Sequence, residues 1–346
     1  MLGLSPGLIS TYFPPKGQNV HDESTKDEIS KISPAYIFVL DQGSRKSGSL
    51  YDSPHTCLII DHHFTEEGGF PKGSEYVTAH DCPPVATSSL LTFHICMPLH
   101  TDLSEKISWL TALGTHGDLG NNLKWEPPFP DMSDMFKEHT KKSIYDAIAL
   151  VNAPRRSKRY NVEAAWDAVL FAQNPKTLLD NEELAAAQLE IQNERNKWSR
   201  TPPKFSQDAT IAVLTISSAA QIHPLIATQW AGMLTSSKLE IVMCANDGYL
   251  PGKVNFSCRV VKDARARTGD DKVDIIQKLK GIVANEPDLM ARLGESFARG
   301  HKEASGGIVN KQEWDEFQKL MGVGEIQRKK KPARNNTLDN YFLKAS

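Results

Sequence analysis

Short, continuous apolar segments dominate the start of the chain, and two of them end in an aspartate. Residues 35–41 (AYIFVLD) and 57–61 (CLIID) are rich in β-branched residues. Such runs fit buried parallel strands better than surface strands, in which apolar and polar residues alternate. Helical spacing of apolar residues follows at 84–97 and at 104–114, where Ser104 provides an N-cap. This mixture of elements predicts an α/β fold with a doubly wound, mainly parallel sheet.

The hydrophobic pattern then changes and divides the chain into four regions. Helical periodicity fills the middle of the chain near 140–151, 161–172 and 181–199, until the prolines of RTPPKF at 200–205 stop it. Strand-like runs at 209–216, 238–245 and 253–261 and a helix near 272–284 follow. We predict an α/β domain at 1–125, a helical connector at 126–205, a smaller α/β domain at 206–323 and a disordered basic tail at 324–346.

Composition narrows the class of protein. The 346 residues are enough for two ordinary domains, and the formal charge of -2 shows that the whole molecule is not a polycation. Nucleic-acid binding would therefore depend on local basic patches. Five cysteines without a CxxC pair favour reduced, intracellular thiols over a disulfide framework. No apolar run approaches the ~20 residues of a membrane span, and no signal peptide is evident. We expect a soluble, intracellular protein.

Potential metal ligands follow the predicted strands. Asp41 ends the first apolar run, and Asp61, His62 and His63 end the second. Asp118 comes just after the helix predicted at 104–114. Ligands in open α/β sheets bind beyond the carboxyl ends of the strands. One such aspartate alone would be an ordinary strand-end cap. Three acids and two histidines at matching positions favour a site for a divalent metal such as manganese.

Five short motifs in order resemble the DHH phosphoesterase superfamily, which includes RecJ-type nucleases and small-molecule phosphodiesterases. The resemblance covers roughly residues 8–320 and includes one departure, because Arg299 occupies a place where the family often has glycine. The motifs are FVLDQGS with Asp41, IIDHH with Asp61–His63, GTHGD with Gly114 and Asp118, SCR with Ser257 and Arg259, and GHKEASG from Gly300 to Gly306.

The resemblance implies two-metal hydrolysis of a phosphate ester, with two Mn²⁺ or Mg²⁺ ions about 3.5–4 Å apart. It implies that Asp41 bridges the ions, that His62 and Asp118 hold one of them, and that Asp61 and His63 orient the loop or contact the phosphate. It further implies phosphate binding by residues of the C-terminal region. These residues are Ser257, Arg259, His301 and, through a nest of backbone N–H groups, Gly306 and Gly307. We expect Asp41, His62 and Asp118 to converge, and Arg259 and His301 to face Asp61–His63.

The family's first motif, a strand followed by His-x-x-x-Asp-x-Asp, has no match in residues 1–34. The acidic stretch NVHDESTKDE lacks a preceding apolar strand, and 7–13 resembles the strand that follows the motif in the family. We therefore expect the chain to begin downstream of that motif, so that the sheet lacks its first strand and the metal site lacks two carboxylates. A truncated start and a true loss of metal binding both fit this pattern, and the intact remaining ligands favour truncation.

The tail carries a second resemblance. Residues 335–342 (NNTLDNYF) are similar to the peptides by which replication proteins bind the sliding clamp, with Leu338, Tyr341 and Phe342 as apolar anchors. The basic run RKKKPAR at 328–334 favours a nuclear location or contact with nucleic acid. The alternative is a solvated tail whose aromatic residues dock on the protein itself.

Three functions follow in order of preference. The first is a metal-dependent phosphoesterase that hydrolyses phosphodiester bonds in single-stranded nucleic acid or short oligonucleotides. The second is a non-catalytic replication scaffold or nucleic-acid-binding protein. The third is a small-molecule nucleotide phosphodiesterase. No added OB-type domain is evident to lengthen a strand-binding groove, which slightly favours short substrates.

Overall fold

A computed structural model of the protein describes residues 5–325. The helices are α1 (Glu23–Ile32), α2 (Ser88–Cys96), α3 (Leu103–Leu119), α4 (Ser133–Glu138), α5 (Lys141–Arg156), α6 (Val162–Phe171), α7 (Pro175–Leu179), α8 (Glu182–Trp198), α9 (His223–Met233), α10 (Lys262–Arg265), α11 (Ile275–Ile282), α12 (Pro287–Leu293) and α13 (Lys311–Leu320). The strands are β1 (Tyr36–Leu40), β2 (Thr56–Ile60), β3 (Ser74–Val77), β4 (Lys204–Phe205), β5 (Ile211–Ile216), β6 (Ile241–Asn246), β7 (Lys253–Val260), β8 (Arg299–His301) and β9 (Ala304–Asn310).

The N-terminal sheet is parallel, as the apolar runs predict. Its three strands lie in the order β1-β2-β3, with Tyr36 opposite Thr56 and Cys57 opposite Ser74. On one face, Ile37, Val39 and Ile59 pack with residues of α1 and the neighbouring loops. The α/β class with a parallel sheet is therefore confirmed.

The other face of β1 differs from the prediction of a fully buried strand. Tyr36, Phe38 and Leu40 are 68%, 66% and 50% exposed, because alternate residues of a strand point to opposite faces and no described element covers this one. The strand expected at 7–13 is also wrong. A short 3₁₀ helix at Pro6–Leu8 is followed by irregular backbone, since no described strand lies beside this segment to form a ladder.

The two helices after the sheet are found, but their ends differ from the prediction. Helix α2 begins after Thr87, whose hydroxyl accepts a bond from the backbone N–H of Leu90. Helix α3 begins at Leu103, so Ser104 lies inside it and is not its N-cap. The helix also continues to Leu119, which places Asp118 in its last turn. The left-handed backbone of Gly120 (φ 90°) ends it there.

Between the two sheets, residues 133–198 form the helices α4 to α8 without an intervening strand. The three helical segments predicted from periodicity correspond to α5, α6 and α8. Ile144, Leu178 and Leu184 are fully buried in their common core, which also receives Trp109 of α3. This packing holds α3, and with it Asp118, against the helices α4 to α8.

The C-terminal sheet has six strands in the order β4-β5-β6-β7-β9-β8. Only β5 and β6 pair in parallel; the other four ladders are antiparallel. The predicted strands at 209–216, 238–245 and 253–261 correspond to β5, β6 and β7. Trp314 and Phe317 of α13 are fully buried against the sheet. This region therefore holds the larger sheet and the largest core cluster of the described residues.

Within residues 5–325, every helix is too short or too polar to cross a bilayer.

Candidate metal centre

The carboxyl ends of β1 and β2 lie side by side and place two aspartates together. The backbone N–H of Asp41 donates to Ile60 O (2.9 Å), and that of Asp61 donates to Val77 O (3.2 Å), so each strand's ladder continues into its aspartate. Asp41 has a left-handed backbone (φ 60°), a conformation that aspartate tolerates better than most residues. The chain therefore turns sharply at Asp41, as is common where function constrains the backbone.

His62 is the buried centre of the cluster, with 1% of its surface exposed. Its Nδ1 lies 3.2 Å from Asp41 Oδ1, and its Nε2 lies 2.9 Å from Asp118 Oδ2. The structure thus brings Asp41, His62 and Asp118 together, although they are far apart in sequence. Asp41 and Asp118 approach different nitrogens of the ring, so they do not meet on one side of it.

Ser88, the first residue of α2, joins two of these groups and was missed by sequence analysis. Its hydroxyl donates to Asp41 Oδ1 (2.8 Å) and lies 3.1 Å from His62 Nδ1. Its backbone nitrogen also lies 3.3 Å from His62 Nδ1. The Thr-Ser-Ser sequence signals a helix start, but nothing in it indicates that this hydroxyl would reach a strand end.

A close contact between α2 and α3 places Asp118. A Cβ atom on Gly114 would lie only 2.5 Å from Ser89 Oγ, so only glycine fits at this point of α3. Asp118 is four residues further on and lies on the same face of the helix. The glycine of the GTHGD motif therefore lets the helices approach closely enough for Asp118 to reach His62.

Both carboxylate oxygens of Asp61 already accept hydrogen bonds from neighbouring residues. Its Oδ2 accepts a bond from the backbone N–H of Ser44 (2.9 Å), and its Oδ1 accepts from the backbone N–H (3.1 Å) and Nδ1 (2.7 Å) of His63. Burial alone would raise the pKa of Asp61, but these bonds outweigh it and lower the pKa to about 2. The hydrogen bond with Asp61 in turn raises the pKa of His63. Asp61 is thus a fixed anion that holds His63 in place.

The donor set fits a divalent ion. Asp41, Asp61, His62 and His63 each offer a ligand atom, and these atoms lie within 4.8 Å of one another. Nε2 of His62 is buried without a properly oriented hydrogen bond, despite its short distance to Asp118. A metal ion held by His62 Nε2 and Asp118 would satisfy this buried atom.

The charge on His62 also follows from its two carboxylate neighbours. Burial disfavours the imidazolium, but Asp118 and Asp41 outweigh that effect and raise the pKa of His62 to about 10. A metal ion would replace this proton, because only the neutral ring can coordinate it.

Four polar side chains of the C-terminal sheet, three of which were predicted to bind phosphate, lie on one face of the sheet. Ala304 of β9 pairs with Arg259 on one side and with His301 on the other. Gly306 likewise lies between Ser257 and Arg299. Because paired residues and residues two apart share a face, Ser257, Arg259, Arg299 and His301 point to the same side of the sheet.

His301 reaches the metal cluster, whereas Arg259 contacts other residues. The rings of His301 and His63 lie nearly parallel with centroids 6.3 Å apart. Arg259 Nη1 donates to Ser257 Oγ and Cys258 O, both at 2.8 Å. No described contact joins Arg259 to Asp61–His63. Ser257 is buried and orients the guanidinium group.

The predicted anion nest at Gly306 and Gly307 is wrong. Both glycines lie within β9, where consecutive N–H groups point to opposite sides and cannot converge. Their lack of a side chain has a steric reason instead. A Cβ would lie 2.3 Å from Phe256 O at Gly306, and 2.7 Å from Ser296 O at Gly307.

Arg156 and His223 lie near Arg259, a grouping that the sequence analysis did not predict. Arg156, at the end of α5, is partly buried; burial and the guanidinium groups of Arg155 and Arg259 lower its pKa to about 10, so it stays charged at neutral pH. His223, the first residue of α9, is 4% exposed and its Nδ1 has no hydrogen-bond partner. Among residues 5–325, no carboxylate forms an ion pair with Arg156 or Arg259.

The clamp-peptide residues Leu338, Tyr341 and Phe342 and the basic run at 328–334 lie outside the described residues.

Comparison with family models and with curated proteins gives no match. Among solved structures, RecJ in complex with Mn²⁺ from Thermus thermophilus is similar, with a TM-score of 0.57 and 17% identity over 87% of this chain and 46% of that chain. This likeness shows that the chain has a RecJ-like fold. The chain spans less than half of that RecJ chain.

Two other structures match more weakly. The pGpG-specific phosphodiesterase PggH from Vibrio cholerae is 12% identical, with a TM-score of 0.39 over 79% of this chain and 81% of that chain. CDC45 from Entamoeba histolytica is 10% identical, with a TM-score of 0.40 over 86% of this chain and 87% of that chain.

Proposed function

We propose that this protein is a metal-dependent phosphoesterase of the DHH type that hydrolyses phosphodiester bonds. The observation that carries the proposal is the clustering of Asp41 and Asp118 around His62, one at each ring nitrogen, beside the fixed pair Asp61 and His63. Carboxylates and imidazoles in this arrangement suit Mn²⁺ or Mg²⁺. The similarity to a Mn²⁺ complex of RecJ supports manganese as the first ion to test.

In this proposal, His62, through Nε2, and Asp118 would hold a metal ion, and Asp41, on the Nδ1 side of the ring, completes the group of donors with Asp61 and His63. A bound divalent ion would polarise the phosphoryl oxygens and lower the pKa of a bound water. Ser88 keeps Asp41 and His62 in position through its hydroxyl and its N–H. Asp61 acts as a positioning residue, because its oxygens are already occupied by Ser44 and His63.

His63 and His301 are proposed to bind the scissile phosphate. The centroids of their rings lie 6.3 Å apart at the edge of the cluster, a separation that the several oxygens of one phosphate group can span. Arg259 and Arg156 are proposed to bind a further phosphate of the substrate. These two guanidinium groups lack an acidic partner among the described residues, and an anion would offset the cost of burying them.

The proposed substrate is single-stranded nucleic acid or a short oligonucleotide. The test measures Mn²⁺ affinity by calorimetry and cleavage of a 5′-labelled single-stranded oligonucleotide on a gel. We expect Asp118→Asn to weaken Mn²⁺ binding at least about tenfold and to reduce cleavage in proportion. Asp167→Asn is the matched control, because Asp167 is an exposed acid on α6, away from the cluster.

The outcomes separate the alternatives. Metal binding without cleavage of any diester would favour the non-catalytic scaffold. Cleavage of dinucleotides but not of longer strands would favour a small-molecule phosphodiesterase. Equal Mn²⁺ affinity in wild type and Asp118→Asn would show that Asp118 is not a ligand.

A further inference from the structure

Helix α6 has the reverse of the usual amphipathic arrangement. The residues that pack on the helical core are two alanines and a valine, Ala165, Ala168 and Val169. The large apolar residues face outward instead, since Trp166, Leu170 and Phe171 are 37%, 57% and 77% exposed. A surface helix normally buries its largest apolar side chains, because they contribute the most on burial. An outward apolar face of this kind indicates a surface that binds a further polypeptide segment.

The exposed residues form one continuous stripe with two acids. Glu163, Trp166, Asp167 and Leu170 recur at spacings of three and four residues, so they share one side of the helix, and Phe171 extends that side at its C-terminal end. We call this surface the outer face of α6. Neither acid forms an ion pair with another residue of the described range 5–325. The outer face therefore suits a segment that is both basic and apolar.

The chain beyond the described residues has this complementary composition. Residues 326–346 contain six lysines and arginines and a single acid, Asp339. Four of the basic residues, at 328–331, precede the apolar residues Leu338, Tyr341 and Phe342. Opposite charges favour encounter and orientation, whereas burial of the apolar side chains provides the affinity.

The same segment starts within reach of α6. The backbone N–H of Gly324 donates to Phe205 O (2.9 Å), which places the start of the segment beside the connection that follows α8. Helix α8 leads from this connection back toward α6 over about 25 Å. Asn161, which precedes α6, donates to Glu183 Oε1 at the start of α8 (2.7 Å). Residues 326–341 span up to about 50 Å when extended, which is enough to follow α8 to α6.

We propose that the outer face of α6 is the docking site of residues 328–343 of the same molecule. The basic run contacts the two acids of the face, and Leu338, Tyr341 and Phe342 pack on its apolar side chains. A tethered segment has an effective concentration of about 1 mM. Contacts that give a separate peptide a dissociation constant of about 0.1 mM therefore keep the tethered segment docked in a ratio of about ten to one. This docking does not depend on the proposed hydrolysis.

The first test is the rate at which chymotrypsin cleaves the full-length protein at Tyr341 and Phe342. Cleavage requires undocking, so its rate follows the undocked fraction. We expect Leu170→Ser/Phe171→Ser to speed this cleavage about tenfold, and both substituted side chains are exposed, so the fold is retained. Met233→Ser is the matched control, because Met233 is an apolar residue at the end of another helix, α9, and is 63% exposed.

The second test is hydrogen exchange of the α6 amides in the full-length protein. A docked segment stabilises the helix against local opening by the same ratio of about ten to one. We expect Leu338→Ser/Tyr341→Ser/Phe342→Ser to speed exchange in α6 about tenfold. Asn335→Ser/Asn336→Ser, which changes polar residues of the same segment, should leave the exchange rates as in the wild type.

The outcomes decide between three occupants of the outer face. Faster cleavage in the α6 variant together with faster exchange in the tail variant supports docking within one molecule. Wild-type rates in either variant would overturn the proposal and leave the apolar residues of the tail to a separate partner such as a sliding clamp. Protection that increases with protein concentration would also overturn it, because the tail of a second copy would then occupy the face.

Discussion

Ser88 is the residue on which the metal cluster most depends outside the ligands themselves. Its hydroxyl donates to Asp41, and both its hydroxyl and its N–H lie within 3.3 Å of His62 Nδ1. Groups that orient metal ligands contribute strongly to affinity, because a misplaced ligand must be reordered when the ion binds.

We predict that Ser88→Ala weakens Mn²⁺ binding by about tenfold, since Asp41 and His62 lose the group that joins them. Titration calorimetry of the variant measures the change. Ser89→Ala is the control, because the hydroxyl of Ser89 reaches only Thr111 O, at 3.4 Å. Equal affinities for Ser88→Ala and wild type would mean that the helix end alone positions these ligands.

The contact between helices α2 and α3 determines whether Asp118 belongs to the cluster. At Gly114 an added Cβ would approach Ser89 Cβ to 2.7 Å as well as its Oγ, so the helices would have to separate. At Gly117, on the same helix, the nearest atom to an added Cβ is Ile148 Cγ2 at an ordinary 3.8 Å. The two glycines therefore provide a matched pair of positions.

We predict that Gly114→Ala lowers stability by about 1–3 kcal/mol through overpacking and weakens Mn²⁺ binding by moving Asp118. Gly117→Ala should keep the metal affinity and raise stability slightly, because alanine is the better helix former. Thermal unfolding and calorimetry measure both effects. The double variant Gly114→Ala/Ser89→Gly should recover metal binding; if it does not, the contact between α2 and α3 is not the cause.

At the scale of the whole molecule, the C-terminal core buries a histidine beside two arginines. Burial, together with Arg259 and Arg156, lowers the pKa of His223 to about 3. The unfolded chain binds a proton at His223 near pH 6.5, whereas the folded chain does not. Stability is therefore complete above pH 6.5 and falls as the pH is lowered toward 3.

We predict that His223 alone removes about 2 kcal/mol of unfolding free energy between pH 7 and pH 5. Urea unfolding at the two pH values measures the loss in the wild type. In His223→Gln the loss should be smaller by that amount, because the titrating group is gone. Identical pH dependence in the two proteins would mean that His223 becomes protonated without unfolding.

The sequence by itself determined the α/β class, the main strands and the acids at their ends. Continuous β-branched runs such as AYIFVLD specify buried strands locally, so the position of Asp41 and of Asp61–His63 at strand ends follows from the chain alone. Strand β3 gave no such signal, since SEYV is short and largely polar. The predicted end of α3 was too early, because Gly114 and Gly117 obscured a helix that tertiary contacts stabilise.

Tertiary structure alone decided which side chains meet. Ser88 joins Asp41 and His62 only because α2 packs at the end of the first sheet, and Arg299 lines the same cavity as Arg45 only because the β8 hairpin reaches the loop after β1. The nest expected at Gly306 and Gly307 failed for the same reason, since pairing with β7 fixed the backbone as extended. Local sequence fixes where a polar side chain leaves its strand or helix, but its partners depend on contacts between segments distant along the chain.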